Sequence, residues 1–106
     1  MMLKITESYK TAVISTAHLT GEDSERMPVV SFDPITDRGL NWVHGSKYGW
    51  IVRAGLRGNG WKDELRAYNI SEGMITNIQT VLDAGFDSVH FDRDAELVDG
   101  LTSWEW

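Results

Sequence analysis

The chain has 106 residues, 42% of them apolar, no cysteine and a formal net charge of −6. A chain of this length makes one domain, residues 1–106, around one core, and its apolar content excludes a disordered tail. The missing cysteines exclude disulfides and thiolate chemistry, no stretch approaches the ~18 apolar residues of a membrane-spanning helix, and Met1–Glu7 lacks the apolar run of a signal peptide. The expected setting is therefore cytoplasmic, away from membranes.

The charge is one-sided. Residues 1–82 hold nine acids and nine bases. Residues 83–106 hold seven acids (Asp83, Asp87, Asp92, Asp94, Glu96, Asp99, Glu105) against one base, Arg93. Such asymmetry repels nucleic acid and draws basic partners.

After a frayed lead-in over residues 1–9, Lys10–Leu19 reads as a strand, rich in β-branched residues and free of Gly and Pro. Both of its alternating sets are apolar, which predicts a central strand covered on two faces. Thr20 caps a short helix over Glu22–Met27, with Asp23 completing a capping box and Pro28 ending it. Val29–Asp33 follows as a strand, then a turn-rich link to Gly39. Leu40–His44 and Lys47–Ala54 form a hairpin around Gly45–Ser46, with Trp42 and Trp50 packing the sheet. Gly55–Tyr68 reads as a long polar loop around Trp61.

The main helix is capped by Asn69 or Ser71. Met74, Ile75, Ile78, Val81 and Leu82 make one apolar stripe, and Gly85 suits a left-handed C-cap. Ser88–Asp92 is the last strand. A turn at Arg93–Glu96 then leads to an extended Leu97–Trp106, whose Trp104 and Trp106 close the core. The expected fold is α+β: a largely antiparallel sheet of about five strands, with one main amphipathic helix on one face.

Catalytic signals are weak. His90, Asp92 and Asp94 alternate on one strand face, and His18 can join them if the first and last strands are neighbours. Imidazole and carboxylates in that arrangement suit a divalent metal. Against this, Asp92 and Asp94 equally suit a turn, and His90 a hydrogen-bonded core position. The run from Asp92 to Asp99 lacks the glycine and bidentate acid of a calcium loop. Serine-nucleophile and P-loop signatures are missing. Trp61, beside Arg57 and Lys62, reads either as folded onto the body or as an exposed contact anchor.

Four segments resemble, in order, a family of small uncharacterised proteins carried by bacterial plasmids, phages and related mobile elements. They are Ser15-Thr16-Ala17-His18-Leu19-Thr20, Tyr48-Gly49-Trp50, Phe91-Asp92-Arg93-Asp94 and Leu101-x-x-Trp104-Glu105-Trp106. Ala95, Thr102, Trp104 and Glu105 depart from the family's glycine, proline, tyrosine and aspartate. The resemblance implies a mobile-element setting in a bacterial host and carries no reaction.

The leading expectation is a non-enzymatic protein that binds and inhibits a host defence component, such as an anti-CRISPR acting on a CRISPR effector. Its partner-binding residues would be Asp87, Asp92, Asp94, Glu96, Asp99 and Trp61, meeting a host protein with a basic surface. No cofactor and no direct nucleic-acid contact are expected. One alternative is a small metal-dependent enzyme built on His18, His90, Asp92 and Asp94; another is a self-assembling accessory protein.

Overall fold

The structure is a computed structural model that describes residues 2–106; Met1, the start of the expected lead-in, lies outside the described residues. The strands are β1 (Thr11–Ser15), β2 (Val43–Ser46), β3 (Gly49–Val52) and β4 (Ser88–Asp92); the helices are α1 (Gly21–Val30), α2 (Trp61–Ala67) and α3 (Glu72–Asp83). One four-stranded sheet has the order β1-β4-β3-β2. β1 runs parallel to β4, whereas β4 with β3 and β3 with β2 are antiparallel. The class is α+β, but the sheet is mixed, with four strands and three helices among the described residues rather than about five strands and one main helix.

The pleat sends alternate residues to opposite faces. Ile14, Val89, Phe91 and Val52 enter a single buried cluster with Met27 and Val30 of α1, Leu65 of α2, and Met74, Ile75 and Ile78 of α3. All three helices thus lie on one face. The opposite face carries the row Val13–His90–Ile51 across β1, β4 and β3. Gly49 is required where β3 crosses β4, since a Cβ there would stand 1.7 Å from the Phe91 carbonyl oxygen.

Several expectations are corrected. The first strand is half as long as expected and lies at the sheet edge, not its centre. Ser15 Oγ accepts the Ala17 N–H (3.1 Å) and turns the chain into a 3-10 turn over Thr16–His18. The helix does not stop before Pro28 but runs to Val30. Pro28 forfeits only the donor to the Ser24 carbonyl, and the fully buried Met27 and Val30 hold the last turn to the core.

The expected strand at Val29–Asp33 is therefore lost to α1, leaving only isolated bridges from Ser31 to Leu40 and Asp33 to Arg38. The hairpin turns at Lys47–Tyr48, two residues later than expected. Gly55–Tyr68 is not a long loop. Two 3-10 turns lead into α2, where Trp61 and Leu65, four residues apart, share one buried face. Trp61 is only 4% exposed, so it is a core residue and not an exposed anchor.

The best-fixed point is a buried carboxylate. The capping box at α1 forms: Asp23 N–H donates to Thr20 Oγ1 (3.0 Å) and Thr20 N–H to Asp23 Oδ2 (3.1 Å). Asp23 also accepts from the Ser71 N–H (2.8 Å) and the Ser71 hydroxyl (2.6 Å), while Ser71 Oγ caps α3 by accepting from Met74 N–H (3.1 Å). One carboxylate thus ties together the N-termini of α1 and α3, where a negative charge suits both helix dipoles. On the surface, Arg66 of α2 bridges Asp63 and Glu72 at 2.9 Å each, which holds the Glu72 carboxyl below its usual range.

Asp23→Ala leaves three part-buried donors, the Thr20 N–H and the Ser71 N–H and hydroxyl, without their acceptor. It is expected to lower the unfolding free energy by about 2–4 kcal/mol, measured by urea denaturation. The exposed Glu25→Ala should change it by less than ~0.5 kcal/mol. Equal effects in the two variants would remove Asp23 from this role.

Candidate partner-binding edge

Residues 97–106 run back along α3, from Val81 and Ala84 near its C-terminal end to Gly73 near its start and then Gly21 of α1, fastened by side chains from inside the domain. His18, only 1% exposed, donates from Nδ1 to the Thr102 carbonyl (2.8 Å) and accepts the Val98 N–H at Nε2 (2.9 Å). The accepting Nε2 places the ring proton on Nδ1. Asn77 of α3 donates to both the His18 and Thr102 carbonyls (2.8 Å each) and accepts the Thr102 N–H (3.0 Å).

The two terminal tryptophans complete the clasp but do not close the core as expected: neither joins the buried cluster, and Trp106 is 62% exposed. Trp104 N–H donates to the Ala17 carbonyl (2.8 Å), and its ring covers Gly73, where a Cβ would lie 2.6 Å from the indole. Trp106 Nε1–H donates to the Leu19 carbonyl (3.0 Å) beside Gly21.

This clasp bears on the alternative metal set. Both His18 nitrogens are engaged by the backbone. His90 stands on the central strand, and its Nε2 is buried without a partner. Asp92 Oδ1 accepts the Asp94 N–H (2.9 Å) and makes a turn. His18, His90, Asp92 and Asp94 are not brought together, and among the described residues no group of three or more His, Cys, Asp or Glu could hold a metal ion.

The acidic residues divide. Asp87 lies at the start of β4, where its carboxylate accepts the Lys10 N–H (2.9 Å) and anchors the entry to β1. Asp94, Glu96 and Asp99 are exposed on the loop after β4. That loop is pinned at both ends: Arg93 N–H donates to the Tyr48 carbonyl (2.9 Å) and Ala95 N–H to that of Asp92 (3.1 Å), while Val98 is held by His18. Arg93, the single base nearby in sequence, lies over the Tyr48 ring (4.7 Å) and does not neutralise its neighbours. Among the described residues the only ion pairs are those of Arg66.

The acidic loop runs straight into an apolar cavity of about 460 Å³. One wall is Val98–Leu101, another is Val81, Ala84 and Phe86, and the third is Thr11–Ile14 of β1. β1 lies at the edge of the sheet, and among the described residues no backbone hydrogen bond reaches Thr11–Ser15 from any element but β4. Thr-Ala-Val-Ile-Ser holds none of the charge, proline or bulge that often guards an edge, Val13 is 55% exposed, and Val98–Leu101 flanks the strand only across the cavity.

Sequence reasoning missed Asn77, although it is a polar residue in phase with Met74 and Val81 on the buried stripe. It also missed the free edge, because apolar residues on both sides of a strand point to a central position.

A small α+β domain with an open mixed sheet, a clasped tail and one unguarded strand edge is the class that fold and site define. A family described as a family of unknown function (DUF5983), C-terminal domain, matches residues 11–106, and the chain belongs to that family. No curated protein and no solved structure matches it. No helix among the described residues is long and apolar enough to cross a membrane.

Asn77→Ala removes three hydrogen bonds of the clasp. Amide exchange at Val98, Thr102 and Trp104 should accelerate at least ten-fold with the β4 amides unchanged, at a cost of about 2–3 kcal/mol. Unaltered protection at Trp104 would mean that Asn77 does not hold the tail.

Proposed function

We propose that the domain is a non-enzymatic binding module that takes an extended, basic segment of a partner protein along the free edge of β1. The observation that carries this reading is the unpaired, unprotected edge strand beside an apolar groove whose wall continues into an acidic loop. Strand addition supplies main-chain hydrogen bonds, and alternate side chains of the added segment fill the groove. Asp99 at the groove, with Asp94 and Glu96 further along the loop, favours Lys or Arg on that segment and speeds its encounter. Because the loop is already fixed at both ends, little ordering opposes binding. The resemblance to mobile-element proteins makes a host defence component, a CRISPR effector in the first instance, the partner of choice within this reading.

The same free edge supports one alternative, self-assembly, in which β1 of a second copy occupies the groove. Sedimentation separates the two, since self-assembly gives a concentration-dependent dimer that Val13→Lys abolishes.

For the main reading, tagged domain retains a host protein from lysate, and retention falls with salt. The triple variant Asp94→Lys, Glu96→Lys, Asp99→Lys lowers affinity for that protein at least ten-fold, and Val13→Lys, which charges the edge, does the same without loss of circular dichroism signal. Retention that survives high salt and both variants overturns the proposal.

A further inference from the structure

At the far end of the sheet from the acidic loop, donors outnumber acceptors, and no carboxylate lines the cavity they share. A cavity of about 250 Å³ is lined by Asn41, Trp42, Arg53, Leu56 and Arg57. Trp42 is 3% exposed, and its Nε1–H is buried without a partner; the same holds for the Nε–H of Arg53. A buried, unpaired N–H costs about 1–3 kcal/mol, and such groups in a native fold call for an explanation, an unseen ion among them. Both belong to residues that line one cavity, and neither atom has surface open to solvent, so an anion reaches them only when a side chain of the wall moves.

The walls are fixed by the backbone. Arg53 N–H donates to the Trp42 carbonyl (2.9 Å), so the two residues sit side by side at the open end of the β2–β3 hairpin. Gly55 N–H donates to the Asp87 carbonyl (2.9 Å) and Arg57 N–H to that of Ala54 (3.1 Å), which holds the turn carrying Leu56 and Arg57 against β4. The Arg57 guanidinium lies 6.0 Å from the Trp42 ring centre and that of Arg53 lies 4.8 Å from Tyr9. Neither arginine has a carboxylate partner among the described residues, although Glu7 lines an adjoining cavity that shares Arg53 and Leu56.

We propose that this cavity binds a phosphate-type oxyanion. Two guanidinium groups and an indole N–H offer donors and positive charge, the complement of a phosphoryl group, and the Asn41 amide beside them can turn its NH2 to the same ligand. The cavity is smaller than the ~300–1,000 Å³ of pockets that enclose whole drug-sized ligands, so it suits a head group. Arg57 is exposed on a long stem and can swing to admit the anion to the N–H groups beneath it. The site is separate from the β1 edge and stands whether or not that edge binds a partner.

The test is titration of the ¹⁵N-labelled domain with sodium phosphate against sodium chloride at matched ionic strength, following the Trp42 indole N–H, assigned by its absence in Trp42→Phe. Phosphate is expected to shift that resonance saturably and chloride not, and Arg57→Gln to weaken binding at least ten-fold. Arg57 is exposed, so this variant keeps the test sound even if Trp42→Phe or an Arg53 variant fails to fold. Ribose 5-phosphate binding more tightly than inorganic phosphate supports a head group of a larger ligand, and equal affinity supports the free ion. No saturable shift, acetate binding as tightly as phosphate, or unchanged binding by Arg57→Gln overturns the proposal.

Discussion

The structure hangs on one buried carboxylate. Asp23 is fully buried and accepts hydrogen bonds from Thr20 at its own helix and from Ser71 at another. Bonds to an ionised acceptor are roughly twice as strong as neutral ones, and this acceptor sits at the positive ends of two helix dipoles. It joins residues 48 positions apart. The relative placement of α1 and α3 follows from it, and with that the floor on which the C-terminal segment is laid.

That floor explains how the last part of the chain is divided. His18 and Asn77 fix the backbone at Val98 and Thr102, and the two tryptophans take the carbonyls of Ala17 and Leu19. Residues that look chemically active in sequence are occupied with holding the chain. Before and between these fastenings the carboxylates of Asp94, Glu96 and Asp99 stay exposed, and the proposed recognition rests on them. The imidazole of His18 sets where the acidic loop ends.

The sequence was legible where a local signal agreed with its surroundings. The stripe from Met74 to Leu82, the Ser71 cap, the Thr20–Asp23 capping box and the Ser88–Asp92 strand all appear where the pattern placed them. It was not legible where tertiary burial overruled a local rule. Pro28 is a stop signal, yet Met27 and Val30 are drawn into the core and the helix continues. Glycines around Trp61 hide the spacing of Trp61 and Leu65 that makes α2. The parallel pairing of β1 with β4 is a long-range event with no local mark. Apolarity on both sides of β1, which suits a covered strand, belongs instead to an edge left open. The acidic loop was visible as composition; the groove beside it was not, because its walls come from three distant parts of the chain.

The pairing of β1 bears on how the protein is made. Thr11 is matched with Ser88 and Ser15 with Asp92, so β1 has no strand partner until nearly all of the domain has left the ribosome. During that interval a β-branched, uncharged segment is exposed on both edges, the condition under which nascent chains pair wrongly with one another. Long-range contacts of this kind also slow folding, because loop closure must precede their formation. The burden of a late-arriving partner therefore falls on translation speed and chaperone cover: synonymous changes or crowded expression that alter the pace of synthesis would affect yield while leaving the finished fold untouched.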